Sequence, residues 1–140
     1  MRLMSEAKAF IDSNIALYLL SADITKADRA EAVISDGGVI SVQVLNEVMN
    51  VMRRKLDMTW AETDEVLAGL RAACTIEPLT TQTHGTGRQL AERYGLSVYD
   101  AMIASAALQA GCDRLYSEDM QHGLLMEKQL RICNPFIASS

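Results

Sequence analysis

The chain has 140 residues, of which 49% are hydrophobic and 22% are charged, and its 13 Lys and Arg against 18 Asp and Glu give a net charge of −5. A chain of this length predicts one domain that buries roughly two thirds of the surface exposed on unfolding. The acidic balance argues against a protein that holds nucleic acid by a broad basic surface alone, so any activity on nucleic acid would need metal ions to offset the charge.

The cysteines and the apolar segments restrict the class of protein further. Cys74, Cys112 and Cys133 are odd in number and widely spaced, and each lies in or beside an apolar segment. They predict small core residues rather than a disulfide framework or a CxxC-type zinc site. The longest apolar stretches are far short of the roughly 20 residues that cross a bilayer, and the first ten residues lack the apolar core of a signal peptide. We therefore expect a cytoplasmic protein without a membrane segment.

Short β-type runs alternate with longer helical patterns along the chain. The predicted strands are residues 8–11, 38–41, 74–79, 114–117 and 131–136. The predicted helices are residues 14–20, 26–35, 42–56, 60–72, 81–94, 98–110 and 120–129. This alternation is typical of an α/β fold in which helices cover both faces of a parallel sheet.

Several helix ends carry their own signals. Thr25 with Asp28, and Thr59 with Glu62, have the hydroxyl-then-acid spacing of a capping box. Gly111 follows the helix predicted over 98–110, where a left-handed residue would end it.

Acidic residues follow the predicted strands. Asp12 comes directly after the first strand, Glu47 lies in the helix after the second, Asp100 opens a helix, and Asp119 follows the strand at 114–117. In a parallel sheet, ligands bind at the carboxyl ends of the strands, near the point where strand order reverses. The four acids are therefore candidates for a single crevice.

Taken alone, Asp12 and Glu47 each have an ordinary interpretation as well. Asp12, beside Ser13 and Asn14, suits a helix cap or a turn, but its apolar flanks predict a partly desolvated carboxylate, which is costly unless it is paired or binds a metal. Glu47 lies about 40° beyond the apolar stripe of its helix and has no basic residue three or four positions away. The alternative for Glu47 is a solvated boundary residue.

The later acids are also ambiguous by themselves. Ser97 and Asp100 have capping-box spacing, so Asp100 suits the first turn of a helix without any chemistry. After the strand at 114–117, either Glu118 or Asp119 could be the functional acid, with a hydroxyl from Ser117 nearby, and the alternative is a polar loop.

The residue types of the candidate ligands indicate which metal ion the protein would bind. His122 is interpreted as exposed or supporting rather than as a ligand, and His84 has no partner pattern. Clustered carboxylates without His or Cys favour Mg²⁺ or Mn²⁺ over zinc. Such ions serve phosphodiester cleavage, because they orient the phosphate, help to generate hydroxide from water and stabilise the leaving oxygen.

Several segments together resemble a known family. They are "FIDSNI", the Glu in "SVQVLNEV", "LSVYDAMIASAALQAGCDRLYSEDMQHG" and the closing "NPF". In this order they resemble the PIN-domain ribonucleases, in particular the VapC-like toxins of type II toxin–antitoxin pairs. The resemblance spans about residues 8–136 and implies that residues 1–140 form one PIN domain, a three-layer α/β/α sandwich with a mostly parallel central sheet. It also implies an Mg²⁺- or Mn²⁺-dependent endoribonuclease, a homodimer and inhibition by a cognate antitoxin.

Carried over residue by residue, the resemblance implies a set of catalytic, metal-binding acids. They are Asp12, Glu47, Asp100 and Asp119. It implies supporting roles for Ser13, which keeps the hydroxyl of the family's usual Thr, for Asn14 beside the first acid, and for Ser117 and Glu118. The family's S/T-x-D pattern favours Asp119 over Glu118 as the fourth ligand.

The candidate RNA contacts are Arg53, Arg54 and Lys55. Arg54 falls within about 20° of Glu47 on the helical wheel, so it could reach a phosphate near the metals. The alternative is a helix whose carboxyl end favours basic residues. The apolar face with Met49 and Met52 is interpreted as core, with a dimer or antitoxin contact as the alternative.

Two other functions compete with the nuclease. An aspartyl-phosphate phosphotransferase would use Asp12 as its nucleophile, but such enzymes usually need a second acid two residues on, where this chain has Asn14. A catalytically silent PIN scaffold would bind RNA or a partner protein, and retention of all four acids argues against it.

Overall fold

Strands and helices alternate in the computed structural model, which describes residues 8–137. The strands are β1 Ala9–Ile11, β2 Gly38–Ser41, β3 Cys74–Glu77, β4 Arg114–Tyr116, β5 Leu125–Met126 and β6 Leu130–Cys133. The helices are α1 Ser13–Leu17, which a 3₁₀ turn Tyr18–Leu20 continues, α2 Ile24–Ser35, α3 Val42–Arg54, α4 Trp60–Ala73, α5 Thr81–Tyr94 and α6 Val98–Gln109.

The strands form one sheet in the order β3-β2-β1-β4-β6-β5. β1 pairs in parallel with β2 on one side and with β4 on the other, while the short β5 runs antiparallel to β6. The chain builds the sheet outwards from β1, first through β2 and β3 and then through β4, so the strand order reverses between β1 and β4. The predicted three-layer α/β/α sandwich around a mostly parallel sheet is confirmed, and its switch point lies at the carboxyl ends of β1 and β4.

The central strand is buried along its whole length. Ala9, Phe10 and Ile11 are all buried, as expected for a strand that is covered on both faces. Gly38 at the start of β2 allows this close packing, because a Cβ there would lie 2.7 Å from Ile11 Cδ1 and 3.2 Å from the Ala9 carbonyl oxygen. The small residues of α6 extend the core; those that are buried are Ala101, Ala104, Ser105, Ala106 and Ala107.

Helix ends confirm one predicted capping box and correct the other. Thr59 Oγ1 accepts from the Glu62 N–H at 3.1 Å and Glu62 Oε1 accepts from the Thr59 N–H at 2.8 Å. The capping box predicted for Thr25 and Asp28 is wrong, because Asp23 caps α2 and accepts from the Lys26 N–H at 3.3 Å. Thr25 therefore lies inside the first turn of α2. Gly111 follows α6 in the left-handed region, at φ 76°.

The predicted helix over 120–129 is wrong, because these residues form turns and the short β5. Leu125–Met126 pairs with β6, and Glu127 and Lys128 turn the chain with φ of 53° and 58°. Contacts with α5 hold this turn, since the Tyr94 hydroxyl donates to Glu127 Oε2 at 2.8 Å and accepts from the Glu127 N–H at 2.9 Å. Tertiary contacts therefore override a local helical pattern. The strand predicted over 131–136 also ends earlier, at Cys133.

The cysteines lie where the sequence predicts small core residues, except that one is only partly covered. Cys74 and Cys112 are buried and Cys133 is half-buried, and all three are free thiols. Burial raises the pKa of Cys112 to about 12, so this thiol stays protonated and unreactive. Within residues 8–137, every helix is too short or too polar to cross a bilayer.

Candidate active site

The fold brings the four predicted acids towards one edge of the sheet, each by a different local route. Asp12 follows β1 and caps α1, Asp100 lies in the first turn of α6, and Asp119 lies in the turn after β4. Glu47 is on α3, which begins directly after β2. Because β2 and β4 both run parallel to β1, the carboxyl ends of the three strands lie at the same edge of the sheet, where the switch point between β1 and β4 is. The charges of Glu47 and Asp100 raise the pKa of Asp12, and the charges of Asp119 and Glu47 raise the pKa of Asp100.

Asp12 is the buried centre of this group, with only 4% of its surface exposed. One carboxylate oxygen accepts from the Ser13 N–H at 2.7 Å, and the other accepts from Ser117 Oγ at 2.8 Å and from Asn14 Nδ2 at 3.4 Å. The ion pairs that Lys and Arg side chains form within residues 8–137 are all with acids other than Asp12. Asp12 is therefore both a helix cap and a buried carboxylate whose hydrogen-bond donors within the described part of the chain are all neutral.

Burial raises the pKa of Asp12 from 3.8 to about 6, although the hydrogen bonds from Ser117 and Ser13 lower it. The negative charges of Glu47 and Asp100 add to the increase. The loss of hydration on burial thus raises this pKa by more than the hydrogen bonds from the neutral donors lower it. A cation beside Asp12 would remove this penalty.

Ser13 lies between the first two acids. Its hydroxyl is 2.6 Å from Glu47 Oε1 and 3.4 Å from Asp12 Oδ1, so its single proton points to Glu47. Gln43, one turn before Glu47 on α3, donates from Nε2 to Glu47 Oε2 at 3.1 Å. Glu47 is therefore oriented from both sides towards Asp12 rather than free in solvent.

Asp100 and Asp119 complete the group. Ser97 caps α6, as predicted, by accepting from the Asp100 N–H at 3.1 Å. Partial burial raises the pKa of Asp100, and the charges of Asp119 and Glu47 act in the same direction. Asp119 is exposed, and its Oδ2 accepts from Asn14 Nδ2 at 3.0 Å. Asn14 therefore bridges Asp12 and Asp119.

The structure separates the two adjacent acids of the turn after β4. The Glu118 carboxylate accepts from the Tyr18 hydroxyl and, at 3.0 Å, from Lys26 Nζ. The Tyr18 hydrogen bond and the Lys26 charge hold the pKa of Glu118 below its usual range. Only Asp119 of the pair contacts Asn14 through its carboxylate. Ser117 is buried behind them, donating to Asp12 and accepting from the Asp119 N–H at 3.3 Å.

The donor set has the chemistry that a hard cation needs, although it does not form a closed cage. Among residues 8–137, no three side chains of His, Cys, Asp or Glu converge closely enough to hold a metal ion as they stand. The hydroxyl of Ser13 and the amide of Asn14 lie between the carboxylates instead. The four acids offer oxygen ligands without His or Cys, which suits Mg²⁺ or Mn²⁺. The buried Asp12 carboxylate, which has no cationic partner among residues 8–137, fits such an ion.

The three candidate RNA contacts at the end of α3 differ in their surroundings. Arg53 Nη1 donates to the Met58 carbonyl at 2.5 Å, and the guanidinium lies 4.3 Å from the centre of the Trp60 ring. Arg53 therefore connects α3 with α4. Arg54 and Lys55 are exposed, whereas Arg53 is half-buried, so Arg54 and Lys55 are the more accessible to a ligand.

The remaining polar residues are assigned by their contacts. His84 and His122 are both exposed, and His122 Nδ1 accepts from the Asn134 N–H at 2.9 Å. Lys26 and Tyr18, which contact Glu118, were missed by the sequence analysis. No sequence pattern marks them, because they meet Glu118 only after α2 packs beside the turn that follows β4. Gln43 could have been found, since it lies four positions before Glu47.

Comparisons with known proteins agree with this architecture. The PIN domain family model matches residues 9–123. No curated protein matches the sequence. A toxin-antitoxin complex from Klebsiella pneumoniae has a TM-score of 0.71 at 17% identity, with 92% of this chain and 98% of that chain covered.

Two further solved structures share the fold at similarly low identity. VapC20 of Mycobacterium tuberculosis, described as a sarcin-ricin loop cleaving toxin, has a TM-score of 0.65 at 18% identity over 80% of this chain and 90% of that chain. VapBC2 from Rickettsia felis, bound to a DNA fragment from its promoter, has a TM-score of 0.63 at 19% identity over 90% of this chain and 98% of that chain. Because the family model covers most of the sequence, the chain belongs to the PIN domain family.

Proposed function

We propose that this protein is a metal-dependent endoribonuclease that hydrolyses RNA phosphodiester bonds and acts as the toxin of a toxin–antitoxin pair. The observation that carries the proposal is the buried Asp12 carboxylate at the switch point of a PIN fold, with three further acids around it and no cationic partner among residues 8–137. An assembly of this kind is costly in a metal-free protein. Binding of Mg²⁺ or Mn²⁺ offsets that cost.

The residues proposed to hold the ion are Asp12, Glu47, Asp100 and Asp119. A divalent cation supplies phosphate orientation, a more acidic water and stabilisation of the leaving oxygen. Ser13 and Ser117 hold Asp12 in one orientation, and Asn14 holds Asp119 towards it. Ser13 and Asn14 each use one lone pair of the Glu47 or Asp119 carboxylate, so the remaining lone pairs of these carboxylates can bind the ion while the two contacts persist.

The partners follow from the same proposal. The similar structures include toxin–antitoxin complexes, which supports a cognate antitoxin as the partner of this chain. We also propose a single PIN domain with its core over residues 8–136, a homodimer and a cytoplasmic location. Sedimentation of the purified protein, alone and with its antitoxin, measures both assemblies.

The direct test is RNA cleavage by the purified protein. Total cellular RNA should be cut in the presence of Mn²⁺ or Mg²⁺, the cleavage should stop with excess EDTA, and added Mn²⁺ should restore it, because the acids cannot generate hydroxide without the ion. Mapping the new RNA ends identifies the substrate. Undiminished cleavage in EDTA would contradict the proposal.

A silent scaffold is the second candidate, and one observation favours it. No three acids within residues 8–137 converge as a ready-made metal site. Calorimetric titration with Mn²⁺ distinguishes the two functions. The nuclease predicts binding that Asp12→Asn abolishes, whereas RNA binding without any Mn²⁺ binding would favour the scaffold.

Arg54 and Lys55 should contribute to RNA affinity but not to metal affinity. Each variant, Arg54→Gln or Lys55→Gln, is expected to weaken RNA binding several-fold and to reduce the slope of log affinity against log salt by about 0.7, the loss of one phosphate contact on a single strand. Filter binding at several salt concentrations measures this. Lys128→Gln is the control, because Lys128 lies at the β5–β6 turn, away from the carboxyl ends of β1 and β4. An equal loss in Lys128→Gln would show a general charge effect instead.

A further inference from the structure

A cluster of four side chains lies beside the acids without belonging to them. Lys26 Nζ on α2 is 3.0 Å from Glu118 Oε2 and 3.1 Å from the Tyr18 hydroxyl. The same ammonium lies 4.6 Å from the centre of the Tyr18 ring and 5.2 Å from that of the Phe136 ring. The two rings meet edge to face, with their centres 4.9 Å apart. The cluster therefore joins the 3₁₀ turn after α1, α2, the turn after β4 and the segment after β6.

The Asn14 amide connects this cluster to the acids. Its Oδ1 accepts from the Glu118 N–H at 3.3 Å, while its Nδ2 donates to Asp119 at 3.0 Å and to Asp12 at 3.4 Å. A backbone N–H can only donate and carboxylates can only accept, so one orientation of the amide satisfies all three contacts. The position of the Glu118 backbone therefore sets which way the Asn14 amide faces.

We infer that Lys26, acting through Glu118 and Tyr18, is a positioning residue that holds the turn 117–120 and thereby the Asn14 amide between Asp12 and Asp119. Lys26 draws the Glu118 carboxylate towards α2, away from the neighbouring acids. Without this contact Glu118 would be a further negative charge next to Asp119. The packing of Lys26 against two aromatic rings limits the conformations of its side chain. The consequence for metal binding rests on the proposed function, but the geometry of the Asn14 amide does not.

Removal of the Lys26–Glu118 contact should change the geometry of the acidic site rather than the free energy of unfolding. The side chains of Lys26 and Glu118 are 34% and 27% exposed, and ion pairs of this kind contribute little to stability. In contrast, removal of a group that orients a metal ligand through a hydrogen bond typically weakens metal affinity by about 10- to 100-fold.

A second cluster, with a similar pairing of side chains, provides a matched control. Glu127 accepts from Arg93 Nη1 at 2.6 Å and from the Tyr94 hydroxyl at 2.8 Å. It therefore repeats the pairing of an acid with one cation and one tyrosine. Glu127 precedes β6, whereas the acids follow β1 and β4, so the two clusters lie at opposite edges of the sheet.

The test compares Glu118→Gln, Lys26→Met and Lys26→Arg with Glu127→Gln in the full chain. The first readout is the ¹⁵N–¹H spectrum of the Asn14 side-chain amide in metal-free protein. We expect this signal to move or broaden in Glu118→Gln and Lys26→Met, to stay near its wild-type position in Lys26→Arg, and to be unchanged in Glu127→Gln. An unchanged Asn14 signal in Glu118→Gln and Lys26→Met would overturn the inference.

The second readout is Mn²⁺ affinity by calorimetry, together with the thermal midpoint of each variant. We expect Glu118→Gln and Lys26→Met to weaken Mn²⁺ binding about tenfold, with Lys26→Arg and Glu127→Gln close to wild type and with similar midpoints throughout. Wild-type affinity in Glu118→Gln would overturn the inference while leaving the proposed function intact. If the wild-type protein bound no Mn²⁺, the proposed function would fail, and the Asn14 spectrum would still decide the positioning role.

Discussion

Replacing Asp12 by asparagine is expected to abolish metal-dependent RNA cleavage and, at the same time, to stabilise the metal-free protein at neutral pH. The loss of activity should be on the order of a thousandfold or more, which corresponds to about 4 kcal/mol of transition-state stabilisation. Cleavage rates with Mn²⁺ measure it. The fold should survive, because asparagine caps helices about as well as aspartate does.

The gain in stability follows from the direction of the Asp12 pKa shift. Burial raises this pKa from 3.8 to about 6. The protonated carboxyl group therefore favours the folded state, and this contribution is lost as the pH rises from about 4 to about 6. Above that window the charged carboxylate destabilises the fold by an amount on the order of 1–3 kcal/mol. Asp12→Asn removes that penalty.

Urea unfolding of metal-free protein checks this difference. Asp12→Asn should exceed wild type near pH 7.5 and lose most of its advantage near pH 4. Asp23→Asn is the matched control, since Asp23 caps α2 as Asp12 caps α1 but is exposed. We expect this control to leave cleavage unchanged and to show no comparable gain at neutral pH. A less stable Asp12→Asn at pH 7.5 would mean that Asp12 serves the fold as a charged cap.

Mn²⁺ should oppose the destabilisation that a rise in pH produces in the metal-free protein. Metal ligands must be ionised, so protons compete with the ion at Asp12 and Asp100, whose pKa values burial raises. At a hundredfold excess over Kd, bound ion stabilises the fold by about 2.7 kcal/mol, or roughly 10 °C in the thermal midpoint. We expect this shift at neutral pH and little of it near pH 4.

Thermal unfolding with MnCl₂ or EDTA at several pH values measures the shift. Asp12→Asn should lose it, and the Glu127→Gln control should keep it. A shift of equal size in Asp12→Asn would place the ion elsewhere on the protein. A shift that persists unchanged to pH 4 would contradict binding by these carboxylates.

Several features could be predicted from sequence because they depend on short-range contacts. The Thr59 and Glu62 capping box forms between residues three positions apart. The apolar run of β1, followed at once by Asp12, is a local pattern as well. The ordered motifs over most of the chain predicted the PIN domain family and the α/β sandwich, and both are confirmed.

The sequence by itself thus determined most of the elements through local periodicity, and the resemblance of its ordered motifs indicated the family and the four candidate acids. Only the tertiary structure decided which partner each side chain meets. In the structure, residues 120–129 form turns and the short β5, which a contact with Tyr94 holds, and Arg53 packs on Trp60. Glu118 pairs with Lys26 and is thereby separated from Asp119. The physical reason is that these partners come from distant segments, and the packing of helices on the sheet sets their distances and the burial that raises the pKa of Asp12.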